Sequence, residues 1–244
     1  MEHEIWFTAI LNRILSGALT PLLAKVGVPP ADAAHPIPNY IAMEVLAIVV
    51  LVAMALVLRA SLSVEQPGKL QQVMEVAVEF VRGLAEEIIG HGSERYVALL
   101  GTLGMFVVVC NLLGLIPTLE SPTAHIQVTL GCAVTAFLYY NLQGIRHHGA
   151  LGYLKHFAGP IWWMAWLIFP VEVISNVFRL LSLSVRLYAN MFVGSLLEQV
   201  FTALIPIAVP ALMMGLHVFV SGIQAYIFML LPAVYISIAT AEEH

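Results

Sequence analysis

One stretch, Pro170 to Gly194 (PVEVISNVFRLLSLSVRLYANMFVG), constrains this chain more than any other. It is apolar enough to cross a membrane as a helix, yet it carries Glu172, Arg179 and Arg186. At about 100° per residue, Glu172, Ser175, Arg179, Ser182, Arg186 and Asn190 fall on one stripe, because they recur at steps of three or four. A charge at the bilayer centre costs about 2.5–3.5 kcal/mol on insertion scales and more on an isolated helix. Two arginines and a carboxylate on one stripe therefore mark a face turned away from lipid, toward protein or water. The competing account is snorkelling, in which charges near helix ends reach for the interface. It suits Glu172 near the helix start, and it extends to Arg179. It suits Arg186 poorly, since apolar residues continue for roughly four turns beyond it.

The rest of the chain is of the same kind. Of its 244 residues, 60% are hydrophobic and 10% charged, against about 25% charged in a soluble globular domain. The reading is an integral membrane protein, all-α, with one helical membrane domain. A net charge of −5 names no nucleic-acid partner. Cys110 and Cys132 lie inside apolar runs and offer neither a disulfide framework nor zinc spacing. No GxxxxGK[ST] pattern is present, so direct nucleotide binding through a P-loop is not expected. His147 and His148 read as part of a solvated connector rather than as metal ligands, and no cofactor is implied.

The N-terminus, MEHEIWFTAILNRILSG, is too acidic for a secretory signal or a transit peptide and is expected to belong to the mature chain. Residues 1–38 read as an interfacial segment. They comprise a short amphipathic helix, with Ile5, Ala9, Ile10, Ile14 and Leu19 on its apolar side, and a proline-rich connector. Residues 39–244 read as one polytopic domain, with spans expected near 40–58, 96–116, 126–142, 170–205 and 206–240. Between the first two spans, residues 68–90 are too charged to cross. Val73, Val76, Ala77, Phe80, Val81, Leu84 and Ile88 recur there at helical spacing among Glu75, Glu79, Arg82, Glu86 and Glu87, which predicts a surface helix. The last two spans exceed the need of a perpendicular crossing, so tilt or packing within protein is expected. Lysine and arginine collect after the first span (Arg59, Lys69, Arg82, Arg95) and after the third (Arg146, Lys155). With none in 117–125, the N-terminus is expected outside and the C-terminus in the cytoplasm.

The last helix carries a polar line of its own, with His217, Ser221 and Gln224 at i, i+4 and i+7. A lone membrane histidine is more often a packed, hydrogen-bonded residue; three aligned polar groups facing another striped helix favour function. At 1.5 Å per residue, Glu172 lies about 21 Å from Arg186 toward the cytoplasmic start, and Glu198 about 18 Å beyond it toward the outside. The pattern is an outer patch (Glu198, His217), a central Arg186 with Asn190 and Gln224, and an inner patch (Glu172, Ser175). Carboxylates and histidines inside membranes form proton relays, and histidine titrates near neutral pH. Two half-paths separated by a fixed positive charge move protons without leaking them.

SLSVRLYANMFVG with Arg186, IQAYIFMLLPAVYISIA with Gln224, NLLGLIP and the terminal EEH together resemble subunit a of F-type ATP synthases, in its bacterial form. The resemblance covers about Gly68 to the end. It implies that Arg186 is a stator arginine facing the carboxylates of a rotating c-ring, in a bacterial inner membrane. It also implies that Asn190, His217 and Gln224 belong to an outer half-channel and Glu172 and Ser175 to an inner one; Glu198 and Ser221 are read from their positions as further members of the outer path, and Ser182 of the inner. Its remaining implications are tilted last helices lying along the ring, a peripheral stalk of subunit b nearby, and no catalysis by this chain alone. Two positions depart from the pattern. Ser195, nine residues after the arginine, stands where the family often has Glu or His, and PTAHIQVTL puts His125 and Gln127 in a loop that is often acidic or Asn-containing. Two other classes remain as rivals. A self-contained secondary transporter predicts internal repeats or broken helices in matching halves, and an intramembrane enzyme needs a nucleophile–base pair or a ligand cluster in its spans.

Overall fold

The structure, a computed structural model, describes residues 5–14, 16, 36–90, 92–116, 118–158, 165–204 and 208–240. Among the described residues the regular elements are all helices.

Helix α1 (Asn39–Ala60) starts after Pro38, which is extended at φ −71° and ψ 159°. Its buried residues, Asn39, Ala42, Met43 and Ala47, all lie in its first half, while Val49, Val52, Leu56 and Val57 are exposed. Exposed aliphatic surface of this extent has hydrocarbon as its natural solvent. The helical stretch at 6–14 is tied to the start of α1 by its polar side: Asn12 Oδ1 accepts from the Ile37 amide at 3.0 Å, and Asn12 Nδ2 donates to the Ile37 carbonyl at 3.2 Å. Ile10 and Ile14 of the expected apolar side are exposed; Leu19 lies outside the described residues.

Helix α2 (Lys69–Ile89) is the expected surface helix. Its Val81, Leu84 and Ala85 are buried against the bundle, and its charged side chains remain outside. Gly90 at φ 80° ends it in the left-handed region that glycine enters without a Cβ clash. Helix α3 (Glu94–Leu113) follows, and a single 3-10 turn (Pro122–Ala124) leads into α4 (Ile126–Ala158). The polar stretch after residue 142, expected as a connector, is instead helical up to a break at Gly149, with φ 72° and ψ 161°. Beyond that break the chain folds back. Tyr153 Oη donates to Asn141 Oδ1 at 2.9 Å, and the Tyr153 ring sits where a Cβ on Gly144 would be.

Helices α5 (Ala165–Leu204) and α6 (Ala208–Thr240) have 40 and 33 residues. They are about 60 and 50 Å long at 1.5 Å per residue, against a hydrocarbon core of about 30 Å. Among the described residues four helices, α1, α3, α5 and α6, are long and apolar enough to cross a membrane, where five crossings were expected. The fifth, the first half of α4, carries Gln127, Thr129, Tyr139, Tyr140 and Asn141 and packs against both α5 and α6, so several of its polar groups have protein partners.

Two packed cores hold the bundle. One joins Leu103 and Val107 of α3, Ala133 and Ala136 of α4, Leu187 and Met191 of α5, and Phe228 of α6. The other joins α2, α3, α4 and α6 through Leu84, Tyr96, Tyr140, Met229 and Ile236. Alanines and glycines at these contacts let backbones approach, as membrane packing requires in the absence of a hydrophobic drive between helices. At Gly104 a Cβ would collide with the Met229 side chain.

Candidate functional site

Helix α5 organises the site because its faces point in different directions. Leu183, Ser184, Leu187 and Met191 recur at helical spacing and are buried against α4 and α6. Thr129 and Ser184, both fully buried, lie 3.1 Å apart through their hydroxyls and pin the inward face. Arg186, Ser182 and Asn190 are exposed, whereas Glu172, Ser175 and Glu198 are half-buried. Arg186 stands near the middle of the helix and forms no salt bridge among the described residues.

The polar line of α6 has the opposite orientation. His217, Ser221 and Gln224 are 8%, 1% and 2% exposed. The His217 Nε2 and Ser221 Oγ atoms are buried without a hydrogen-bond partner among the described residues, which is where internal water belongs in a polar path. Of the expected central group, Gln224 is buried in the bundle, whereas Arg186 and Asn190 are exposed on α5.

The expected outer patch does come together. Asn190, Glu198 and His217 line one small cavity of about 50 Å³ between α5 and α6. Glu198 and His217 also line a wide cleft of about 950 Å³, together with Ser195, the loop residues Glu120 and His125, and Gln127 at the start of α4.

At the other end of α5, Glu172 pairs with Arg179, Oε1 to Nη2 at 3.7 Å, and both side chains are partly exposed. An exposed pair of this kind contributes about 0–1 kcal/mol. The Arg179 guanidinium also lies 5.5 Å from the centre of the Tyr235 ring. Behind the pair is a network that the sequence did not reveal. Tyr140 Oη donates to Asn176 Oδ1, and Asn176 Nδ2 donates to Asn141 Oδ1 at 3.1 Å. The available signal was Asn176 itself, a buried amide in an apolar helix one turn beyond Glu172. Chemically, the arrangement offers a water-accessible carboxylate–histidine site at one end of α5, a carboxylate–arginine site at the other, and an outward-facing guanidinium between them.

The chain matches the family model described as "ATP synthase A chain" over residues 41–237. It is 46% identical to the ATP synthase subunit a of Koribacter versatilis over the whole of both chains. With the subunit a of Solibacter usitatus it shares 44% identity over 96% of this chain and all of that one. With that of Geobacter sulfurreducens it shares 43% over the full length of both. This multi-pass membrane chain belongs to the ATP synthase subunit a family.

Proposed function

We propose that this chain is the stationary, proton-conducting subunit of the membrane sector of a bacterial F-type ATP synthase. Its partners are a ring of small carboxylate-bearing subunits, the c-ring, which turns past Arg186, and a peripheral stalk of subunit b. The observation that carries this reading is the exposed Arg186, without a salt bridge among the described residues, midway along a helix with a polar site toward each end. A guanidinium facing outward from a membrane helix needs an anionic partner that the described residues do not supply.

The mechanism follows from electrostatics. A rotor carboxylate arriving beside Arg186 is stabilised in its charged form and gives up its proton to the inner path of Glu172, Ser175 and Ser182. Moving past, it is reprotonated from the outer path of Asn190, Glu198, His217, Ser221 and Gln224, and continues into lipid as a neutral acid. The fixed charge of Arg186 keeps the two paths from joining. Each proton crossing the field carries about 2.3 kcal/mol per 100 mV. The same steps run in either direction, toward ATP synthesis or toward pumping. The N-terminus lies outside and the C-terminus in the cytoplasm, so the Glu198–His217 cleft opens outward. This chain conducts and holds; the catalysis of ATP formation lies elsewhere in the complex.

The test is isolation of the tagged chain in mild detergent with identification of what accompanies it. The expected companion is a small two-helix protein that forms a ring and carries a mid-membrane carboxylate. A purified chain that drives gradient-coupled transport in vesicles with no such companion would show a self-contained transporter instead.

A further inference from the structure

The helical stretch at 6–14 is built inside out. Its neutral polar side chains turn inward: Thr8 and Asn12 are 1% and 3% exposed. Ile5, expected on the apolar side, is buried with them, and Phe7 and Leu11 pack beside it against Ile37, Ala42 and Met43. The opposite arc carries Trp6, Ile10 and Ile14, which are 57%, 48% and 72% exposed, with Ala9 and Arg13 exposed between them. At about 100° per residue these five fall within an arc of about 140°. The inward side is already engaged. Asn12 bonds both polar atoms of the Ile37 backbone, and the Ile5 amide donates to Asn39 Oδ1 at 3.4 Å. These bonds fix the helix at the start of α1, whose own exposed side, with Ile41, Ile48, Val49 and Val52, is aliphatic.

The geometry points to this exposed arc as a lipid-binding face that lies in the bilayer surface at the start of α1, with Arg13 on a lipid phosphate. A helix bathed in water buries its apolar side and exposes its polar one; this one does the reverse. Two observations select lipid over a protein partner. The helix is fixed to the end of a membrane-crossing helix whose exposed side already has hydrocarbon as its solvent, so the boundary of the bilayer lies beside it. The arc also has the composition of the headgroup layer. An indole ring carries an apolar body and one N–H for a polar partner, which suits that depth. The Arg13 stem runs along the apolar surface while its guanidinium reaches the phosphate, where two N–H groups can donate to two oxygens. A helix of this kind rests with its apolar face about 5–10 Å into the boundary between headgroups and acyl chains. So placed, it holds the start of α1 at a fixed depth. The lipid contact is independent of the proton path proposed above; it needs only that α1 crosses the membrane.

The experiment places p-benzoylphenylalanine, whose photoexcited ketone inserts into neighbouring C–H bonds, at Trp6, Ile10 or Ile14. All three side chains are exposed, so the substitutions leave the packed side untouched. The whole complex is reconstituted in vesicles of phosphatidylcholine and phosphatidylglycerol and illuminated, and the mass of this chain is read. The expected result at each site is a gain of the mass of one phospholipid. In Arg13→Gln the yield of lipid adduct at Ile14 is expected to fall by up to roughly fivefold, the weight of one cation at an anionic surface. Crosslinks from Ile10 and Ile14 to another protein chain, whether a different subunit or a second copy of this one, overturn the inference, because protein then covers the arc. So does the absence of any adduct at all three sites, which is the outcome for a face in water. Lipid adducts whose yield is unchanged in Arg13→Gln overturn the phosphate contact.

Discussion

Ser195 and Glu198 lie less than one turn apart on α5 and line the same cleft, but only the carboxyl group is a proton-exchanging acid–base group. If Glu198 is the outer acceptor, Glu198→Gln should slow passive proton conduction about 100-fold, the scale of losing one proton-transfer group, and Ser195→Glu in that background should restore part of it. Conduction unaffected in Glu198→Gln yet lost in His217→Ala would contradict this, showing a path that bypasses Glu198. Residues of this kind were legible in the sequence because each breaks an apolar run at a step of three or four. Their partners were less so. The Glu172–Arg179 contact lies along one stripe, but the Tyr140–Asn176–Asn141 network joins α4 to α5 across 35 residues for its Asn141–Asn176 bond, and no local pattern specifies such a pairing. Direction was illegible too. A polar stripe must avoid lipid, but the period alone does not say whether it turns to its own bundle, as Gln224 does, or out of it, as Arg186 does.

At the scale of helices, lengths and amphipathic character were readable, since apolar period and charge density decide both. The surface helix expected at 68–90 appears as Lys69–Ile89. The extension of α4 was not, because Arg146, His147 and His148 read as a solvated connector, while a helix can expose charge freely once past the apolar core. Gly149 turns the chain there, and Gly144 accepts the returning Tyr153 ring. Two close approaches make a contrast that can be measured. At Gly144 an added Cβ meets a stiff aromatic ring tied to Asn141; at Gly104 it meets the end of Met229, a side chain with three rotatable bonds that can repack. Gly144→Ala is expected to cost about 1–3 kcal/mol, the range for overpacking, and Gly104→Ala less. Thermal melting of the detergent-solubilised complex tests this; Gly104→Ala melting below Gly144→Ala would mean that the α3–α6 contact is the rigid one.

The whole molecule is organised by what it leaves open. Its two cores bury the inward faces of α3 to α6, and α5 and α6 extend well past the thickness of a bilayer core, which requires tilt or a covering partner. Between the cleft and the Glu172–Arg179 pair, α5 carries a buried row, Leu183, Ser184, Leu187 and Met191, on one side and the exposed Arg186 on the other. In the proposed account, a moving carrier visits both sites and passes Arg186 in between. The most direct measurement is ATP synthesis and ATP-driven proton pumping in inverted vesicles bearing Arg186→Ala or Arg186→Lys, with assembly of the complex checked in the same membranes. The account predicts normal assembly, with both activities abolished in Arg186→Ala and largely lost in Arg186→Lys, because lysine keeps a charge but not the planar, permanently protonated fork. Wild-type rates of synthesis in either variant would contradict it.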